Sequence, residues 1–132
     1  MKKMLSCLAL FAAITVFAQT DSKVEFAKLN YSFGKIKQHV PVTTEFTFTN
    51  KSDKAIIVQD ATAECGCTTP EFPRTPIAKG KTGTIKVTYN AENPGSFTKK
   101  VTVTFANIKE PVYLTIEGEV LTKRSEERRV GK

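Results

Sequence analysis

Alternation with a period of two, carried by threonine, valine, isoleucine and phenylalanine, runs through the chain after residue 18, where helical periodicity is nearly absent. Turn-forming clusters interrupt it at sandwich-like spacing, and residues 19–120 match the roughly 100 residues of an immunoglobulin-like domain. These observations predict an all-β chain folded as an immunoglobulin-like antiparallel β-sandwich of about seven strands. One polar face per strand fits an antiparallel sheet pair better than a βαβ arrangement.

The strands are expected in this order. Val24–Phe26 is a short first strand. Tyr31–Ile36 is the second, with Tyr31 and Phe33 on one face. Thr43–Asn50 alternates cleanly, Phe46 and Phe48 pointing in and Glu45, Thr47 and Thr49 out. Asn50-Lys51-Ser52-Asp53 is a turn by composition. Ala55–Cys65 is the next strand, with Ile56-Ile57-Val58 as its most buried part. Pro70, Pro73 and Pro76 then break the chain into an irregular connection, closed by a turn at Gly80. Thr84–Asn90 alternates again, Asn93-Pro94-Gly95 turns, and Val101–Phe105 and Val112–Ile116 complete the set. Tryptophan is absent and the cysteines are close neighbours, so the buried Cys–Trp–Cys arrangement of antibody domains is excluded.

Both ends read differently. Lys2 and Lys3 precede an apolar stretch from Met4 to Phe17, and Ala18 precedes Gln19. This is the layout of a secretory signal peptide over residues 1–18, cleaved after Ala18. At about 14 residues the stretch is short of the ~20 a membrane helix needs, so no span is expected in the mature chain. Cys7 sits too early for a lipidated cysteine and belongs to this leader. Arg124–Lys132 has no apolar periodicity and resembles the translation of a sequencing adapter. Residues 121–132 are therefore read as a disordered or artefactual tail.

The formal net charge is +7. Most of it comes from Lys2 and Lys3 in the leader, and from Lys123, Arg124, Arg128, Arg129 and Lys132 against Glu126 and Glu127 in the tail. What remains on residues 19–120 does not support nucleic-acid binding.

Of three cysteines, two survive removal of the leader, in Glu64-Cys65-Gly66-Cys67-Thr68. In an extended strand residues i and i+2 lie roughly 6.5–7 Å apart, at the upper edge of the separation a disulfide tolerates. Closure of Cys65 onto Cys67 then requires tightening at Gly66, for which a positive φ is available. So small a ring contributes little loop entropy, which makes it a poor staple and a plausible redox element. Four readings follow: core-filling cysteines, reduced or bridged; thiol–disulfide exchange; copper(I) binding, with Cys65 and Cys67 as the available ligands; and an intermolecular disulfide. No lysine, arginine or histidine adjoins the pair, and Glu64 would raise a thiol pKa. Zinc wants four ligands, and one histidine, His39, remains, so no metal site is assigned.

Catalytic patterns are missing. There is no Gly-x-Ser-x-Gly elbow and no phosphate-cradling loop. Glu45, Asp53, Asp60, Glu71 and Glu92 are scattered singly. No enzyme activity and no cofactor are expected.

Phe33-Gly34-Lys35-Ile36, Phe46-Thr47-Phe48-Thr49-Asn50, Cys65-Gly66-Cys67-Thr68, the run from Ile77 to Gly83, and Tyr89-Asn90 together resemble the bacterial secreted family known as domain of unknown function 1573, from about Leu29 to Val120. The resemblance implies an immunoglobulin-like fold of the type shared with pilus chaperones, export in Bacteroidota-type bacteria, and no assigned activity. The chain departs from it at His39, where glycine is usual, and at Lys79, where proline is common.

The function expected is that of an exported, non-enzymatic binding or structural domain of the cell envelope, in the periplasm, on the surface or secreted. Its partner would be a protein or envelope component, met at the strand edges or the loop from Thr69 to Pro76. The alternative is a thiol-redox or copper(I)-handling protein centred on Cys65, Gly66, Cys67 and Thr68. Partner identity and oligomeric state are not legible.

Overall fold

The computed structural model describes residues 23–124. The expected leader with Cys7 lies outside the described residues, as does the expected tail of 121–132 from Ser125 onward. The first residue of that tail, Leu121, instead ends the last strand and accepts from Gln38 N–H. Within them run eight strands: β1 (Val24–Phe26), β2 (Asn30–Lys37), β3 (Val42–Asn50), β4 (Val58–Ala63), β5 (Thr68–Glu71), β6 (Thr82–Tyr89), β7 (Gly95–Phe105) and β8 (Val112–Leu121). They form two four-stranded sheets, in the orders β1-β3-β6-β5 and β2-β8-β7-β4. The chain is the all-β, immunoglobulin-like sandwich that its alternation predicts.

One pairing departs from the antiparallel expectation. β1 pairs with β3, and the chain then crosses to the other sheet, where β2 runs parallel to β8. A register shift between Ser32 and Lys35 bends β2 at Gly34, whose φ is 69° and whose N–H donates to Ser32 Oγ at 3.3 Å.

The core follows from the pleat. In β3, Thr44, Phe46, Phe48 and Asn50 are buried while Thr43, Glu45 and Thr47 are exposed. The β3–β6 register sets Phe46 opposite Ile85 and Phe48 opposite Gly83. Gly83 is a close approach, since any Cβ there would run into the Phe48 ring. From the facing sheet, Phe105 meets Phe48 edge-on at 5.4 Å between centroids. At the other end of the sandwich Tyr89 stacks on Phe97 at 3.9 Å. Such aromatic pairs add to what burial alone contributes.

Asn50 ends β3 and heads the turn that its composition suggests, but it does so from inside the core. Its side chain is fully buried. Nδ2 donates to the carbonyls of Lys54 at 2.8 Å and Ile77 at 2.9 Å, and Oδ1 accepts from Ser52 N–H at 2.9 Å and Ser52 Oγ at 2.7 Å. Its backbone N–H donates to Lys81 and its carbonyl accepts from Gly80.

Two local expectations are corrected. Ile56-Ile57-Val58 is not a continuous buried run: Ile56 and Val58 are buried but Ile57 is 42% exposed. Alternation continues through it, with Ile56 forming an isolated bridge to Ile77. The connection after the cysteines is not wholly irregular either, because β5 pairs there with β6 and contains Pro70. Asn90 N–H donates to the Cys67 carbonyl at 3.0 Å. Bonded pairs alternate in an antiparallel ladder, so Pro70 falls at a position whose missing N–H faces away from β6.

Asn50→Ala is expected to lower the unfolding free energy by about 2–4 kcal/mol, because it orphans buried donors and acceptors. Asn50→Asp should do at least as much harm, since a carboxylate cannot donate to the Lys54 and Ile77 carbonyls; urea unfolding measures both. Burial raises the Tyr89 hydroxyl above its ordinary value of 10.0. The fold thus favours the neutral phenol, whose contribution is complete below the unfolded-state pKa and is lost as pH rises through the folded-state value. Alkaline unfolding curves should show this loss in the wild type and not in Tyr89→Phe.

Candidate functional site

Between β4 of one sheet and β5 of the other, the chain crosses the sandwich edge through Glu64-Cys65-Gly66-Cys67. Cys65 and Cys67 are joined in a disulfide, with Cα atoms 5.3 Å apart. That separation is shorter than an extended strand allows, and the cause is a tight turn: Thr68 N–H donates to the Cys65 carbonyl at 3.4 Å, with Gly66 and Cys67 in the central positions. The expected mechanism of tightening is thereby corrected. Gly66 is not among the residues of positive φ, and a Cβ added to it would meet nothing within 4 Å.

Both sides of the corner are tied down by backbone bonds. Glu64 N–H donates to the Lys100 carbonyl at 3.2 Å, and Lys100 N–H returns a bond to Glu64 Oε1 at 3.1 Å. The Glu64 carboxylate therefore extends the β4–β7 ladder. On the far side, Cys67 is held by Asn90. Gly66 is exposed and both cysteines are half-buried, and Cys67 packs against the core. Thr68 is 4% exposed. Its Oγ1 lies 3.7 Å from Cys67 Sγ and 3.8 Å from Cys65 Sγ. Oxidised sulfurs carry no proton, so the hydroxyl is the donor.

Cys65, Gly66, Cys67 and Thr68 thus make one corner. Lys100 carries no local sequence signal, and Asn90 shows only as part of the Tyr89-Asn90 piece of the resemblance; the long-range register is what brings both to the corner. Bridged sulfurs offer no thiolate to copper. Among the described residues, no group of three or more His, Cys, Asp or Glu could hold a metal ion. His39 lies exposed in the β2–β3 turn with φ of 66°, a left-handed conformation that glycine adopts more readily than histidine.

The sheet edges, expected as partner-binding surfaces, are blunted. β1 has three residues and β5 four. The outward N–H of Thr68 is taken by Cys65 and Pro70 has none. β4 carries a register irregularity, and its Ala61 N–H donates to Asp60 Oδ1 at 2.9 Å. β2 is bulged and bears Lys35 and Lys37. These features oppose edge-to-edge strand addition. The loop after β5 is partly docked, with Phe72 against the core and the Arg74 guanidinium 4.6 Å from the Phe72 ring.

Residues 24–120 match the family model described as protein of unknown function (DUF1573). The chain belongs to this family. Solved structures that resemble this DUF1573 domain include a Porphyromonas gingivalis W83 protein of unknown function, with a TM-score of 0.63 and 13% identity over 73% of this chain and 46% of that one. Another is the ASH/PapD-like domain 7 of human CEP192, with a TM-score of 0.64 and 9% identity over 76% of this chain and 86% of that one. A third is the VesB protease of Vibrio cholerae, with a TM-score of 0.60 and 13% identity over 74% of this chain and 32% of that one. At such identities the likeness shows the fold alone. The DUF1573 chain spans about half the length of the Porphyromonas protein. No curated protein matches it. Among the described residues, no helix is long and apolar enough to cross a membrane.

Two glycines of the DUF1573 domain should behave oppositely. Gly66→Ala is expected to change stability by no more than about 0.5 kcal/mol, since its φ and surroundings accept a methyl group. Gly83→Ala should cost at least about 1 kcal/mol by overpacking against Phe48. Paired urea titrations of the oxidised proteins check this.

Proposed function

We propose that this chain is an exported, non-enzymatic binding or structural module of the bacterial cell envelope, whose partner is a protein or envelope component. The observation that carries the reading is the closed Cys65–Cys67 bridge. Disulfides persist in oxidising compartments and are rare in the cytosol, which agrees with the signal-peptide layout of residues 1–18. The blunted edges shift the contact surface toward the faces and the loop from Phe72 to Pro76, where Arg74 offers a charged, aromatic-backed contact. The likeness to a PapD-like domain supports the sandwich as a scaffold.

The test is to express the full chain in a Gram-negative host, recover it from the periplasm, and take its intact mass after alkylation with and without prior reduction. The expected protein begins at Gln19, takes up no alkyl groups before reduction and two after, at monomer mass. Retention in the cytoplasm with the leader intact would overturn export. Two alkyl groups without reduction would overturn the closed bridge, and a dimer mass that collapses on reduction would identify an intermolecular bond instead.

A further inference from the structure

We propose that the Cys65–Cys67 bridge is a thiol–disulfide exchange site for a cysteine-bearing protein of the same compartment, entered at Cys65 with Cys67 as the leaving sulfur. The inference rests on the exported, oxidised state proposed above and adds a chemical activity to it.

The bridge is poorly suited to hold the fold together. It spans a single residue, so it removes little freedom from the unfolded chain. The turn it closes is already held by the Thr68–Cys65, Glu64–Lys100 and Asn90–Cys67 backbone bonds. Opening the S–S bond leaves those bonds in place.

Glycine at 66 has no conformational or packing reason in this fold, because its φ is not positive and no neighbour would touch a Cβ. What its bareness provides is approach to the sulfurs beside it, which displacement requires. The sulfurs also differ. Cys67 packs against the core, which leaves Cys65 as the sulfur to be met from outside. Thr68 Oγ1 lies 3.7 Å from Cys67 Sγ and 3.8 Å from Cys65 Sγ, so it reaches either sulfur and can donate to the Cys67 thiolate that leaves. The choice of Cys65 for attack rests on the packing of Cys67 alone.

A partner thiolate attacks Cys65 Sγ, forming a mixed disulfide as the Cys65–Cys67 bond breaks. The electron pair goes to Cys67 Sγ, where the Thr68 hydroxyl donates to it. A second thiol of the partner then attacks the partner's own bridged sulfur and expels Cys65 as thiolate. Two electrons have passed from a protein dithiol to the Cys65–Cys67 pair, and the two protons released by the partner end on the pair or in water. In reverse, the reduced pair gives its electrons to a partner disulfide.

The experiment equilibrates the purified, processed protein with mixtures of reduced and oxidised glutathione, quenches by alkylation, and reads masses and rates. The wild-type bridge should open and reclose within the glutathione range while the urea midpoint of the reduced protein stays close to that of the oxidised one. With oxidised glutathione, Cys67→Ser, which frees Cys65, should form an adduct at least ~10-fold faster than Cys65→Ser, following the greater access of the outer sulfur. Gly66→Val should slow opening by about tenfold through lost access, with an unchanged urea midpoint. Should that variant fold poorly, the comparison of the two serine variants still decides the order of attack. A bridge that stays closed in every mixture, or whose reduction collapses the urea midpoint, would make it a staple and overturn the proposal. Equal rates in the two serine variants, or no change of rate in a folded Gly66→Val, would overturn it as well. Export and bridge closure are read by the intact-mass test, so each idea can fail alone.

Discussion

The buried amide of Asn50 is the constraint on which the rest of this sandwich depends. An asparagine side chain has two N–H donors and one carbonyl oxygen with two acceptor positions, and all four are used, on Lys54, Ile77 and twice on Ser52. A fully satisfied polar group in a low-dielectric interior specifies geometry, because any shift leaves a costly orphan. Here it joins the end of β3, the 51–54 turn and the segment that leads into β6. It thereby fixes the register that puts Phe46 opposite Ile85 and Phe48 on Gly83. A slip by one residue would turn the phenylalanines of β3 outward. Asn50-Lys51-Ser52 has the pattern of a glycosylation acceptor, but the acceptor nitrogen is committed to two carbonyls in the folded chain.

The opposite end of β3 and β6 is held by different physics. There Tyr89 stacks on Phe97, Thr68 pairs with Tyr89, and the cysteine corner closes the crossing between sheets. The nine residues of β3, from Val42 to Asn50, separate the two ends, about 26 Å of strand. One end is a polar bolt inside the core. The other is an aromatic stack with a covalent bridge at its rim.

How much of this was legible in the sequence depended on whether the signal was local. The β3 pattern was read correctly because burial of one face imposes period two on consecutive residues. The same rule, followed strictly, would have exposed Ile57 between Ile56 and Val58; composition, with three apolar residues in a row, argued the other way. Pro70 hid β5, since a proline excludes a central strand but is harmless at an edge whose N–H faces outward. The turn role of Asn50 was legible because Ser52 and Lys54 are two and four residues away, whereas its burial was not, because the Ile77 carbonyl comes from 27 residues along the chain. Gly66 suggested a positive φ, whereas an ordinary turn to Thr68 supplies the contraction. At the corner itself, the four residues Cys65 to Thr68 were visible as a motif, but their anchors Lys100 and Asn90 come from strands far along the chain. The parallel partnership of β2 with β8 was invisible for the same reason.

The separation of these two ends bears on what a bridge at the corner can do. A disulfide that closed a long loop, or that tied strand to strand through the core, would couple its own reduction to unfolding, because its main effect would be on the unfolded ensemble. Cys65 and Cys67 are two positions apart in a turn whose hydrogen bonds reach β7 on one side and β6 on the other. The determinants of register, Asn50 and the Phe48–Gly83 contact, lie at the far end of the sheet. Breaking one S–S bond at the rim then changes two half-buried sulfur atoms and little else. In the exchange cycle proposed above, the scaffold keeps its shape while the corner opens and closes, whichever face or loop it presents to a partner.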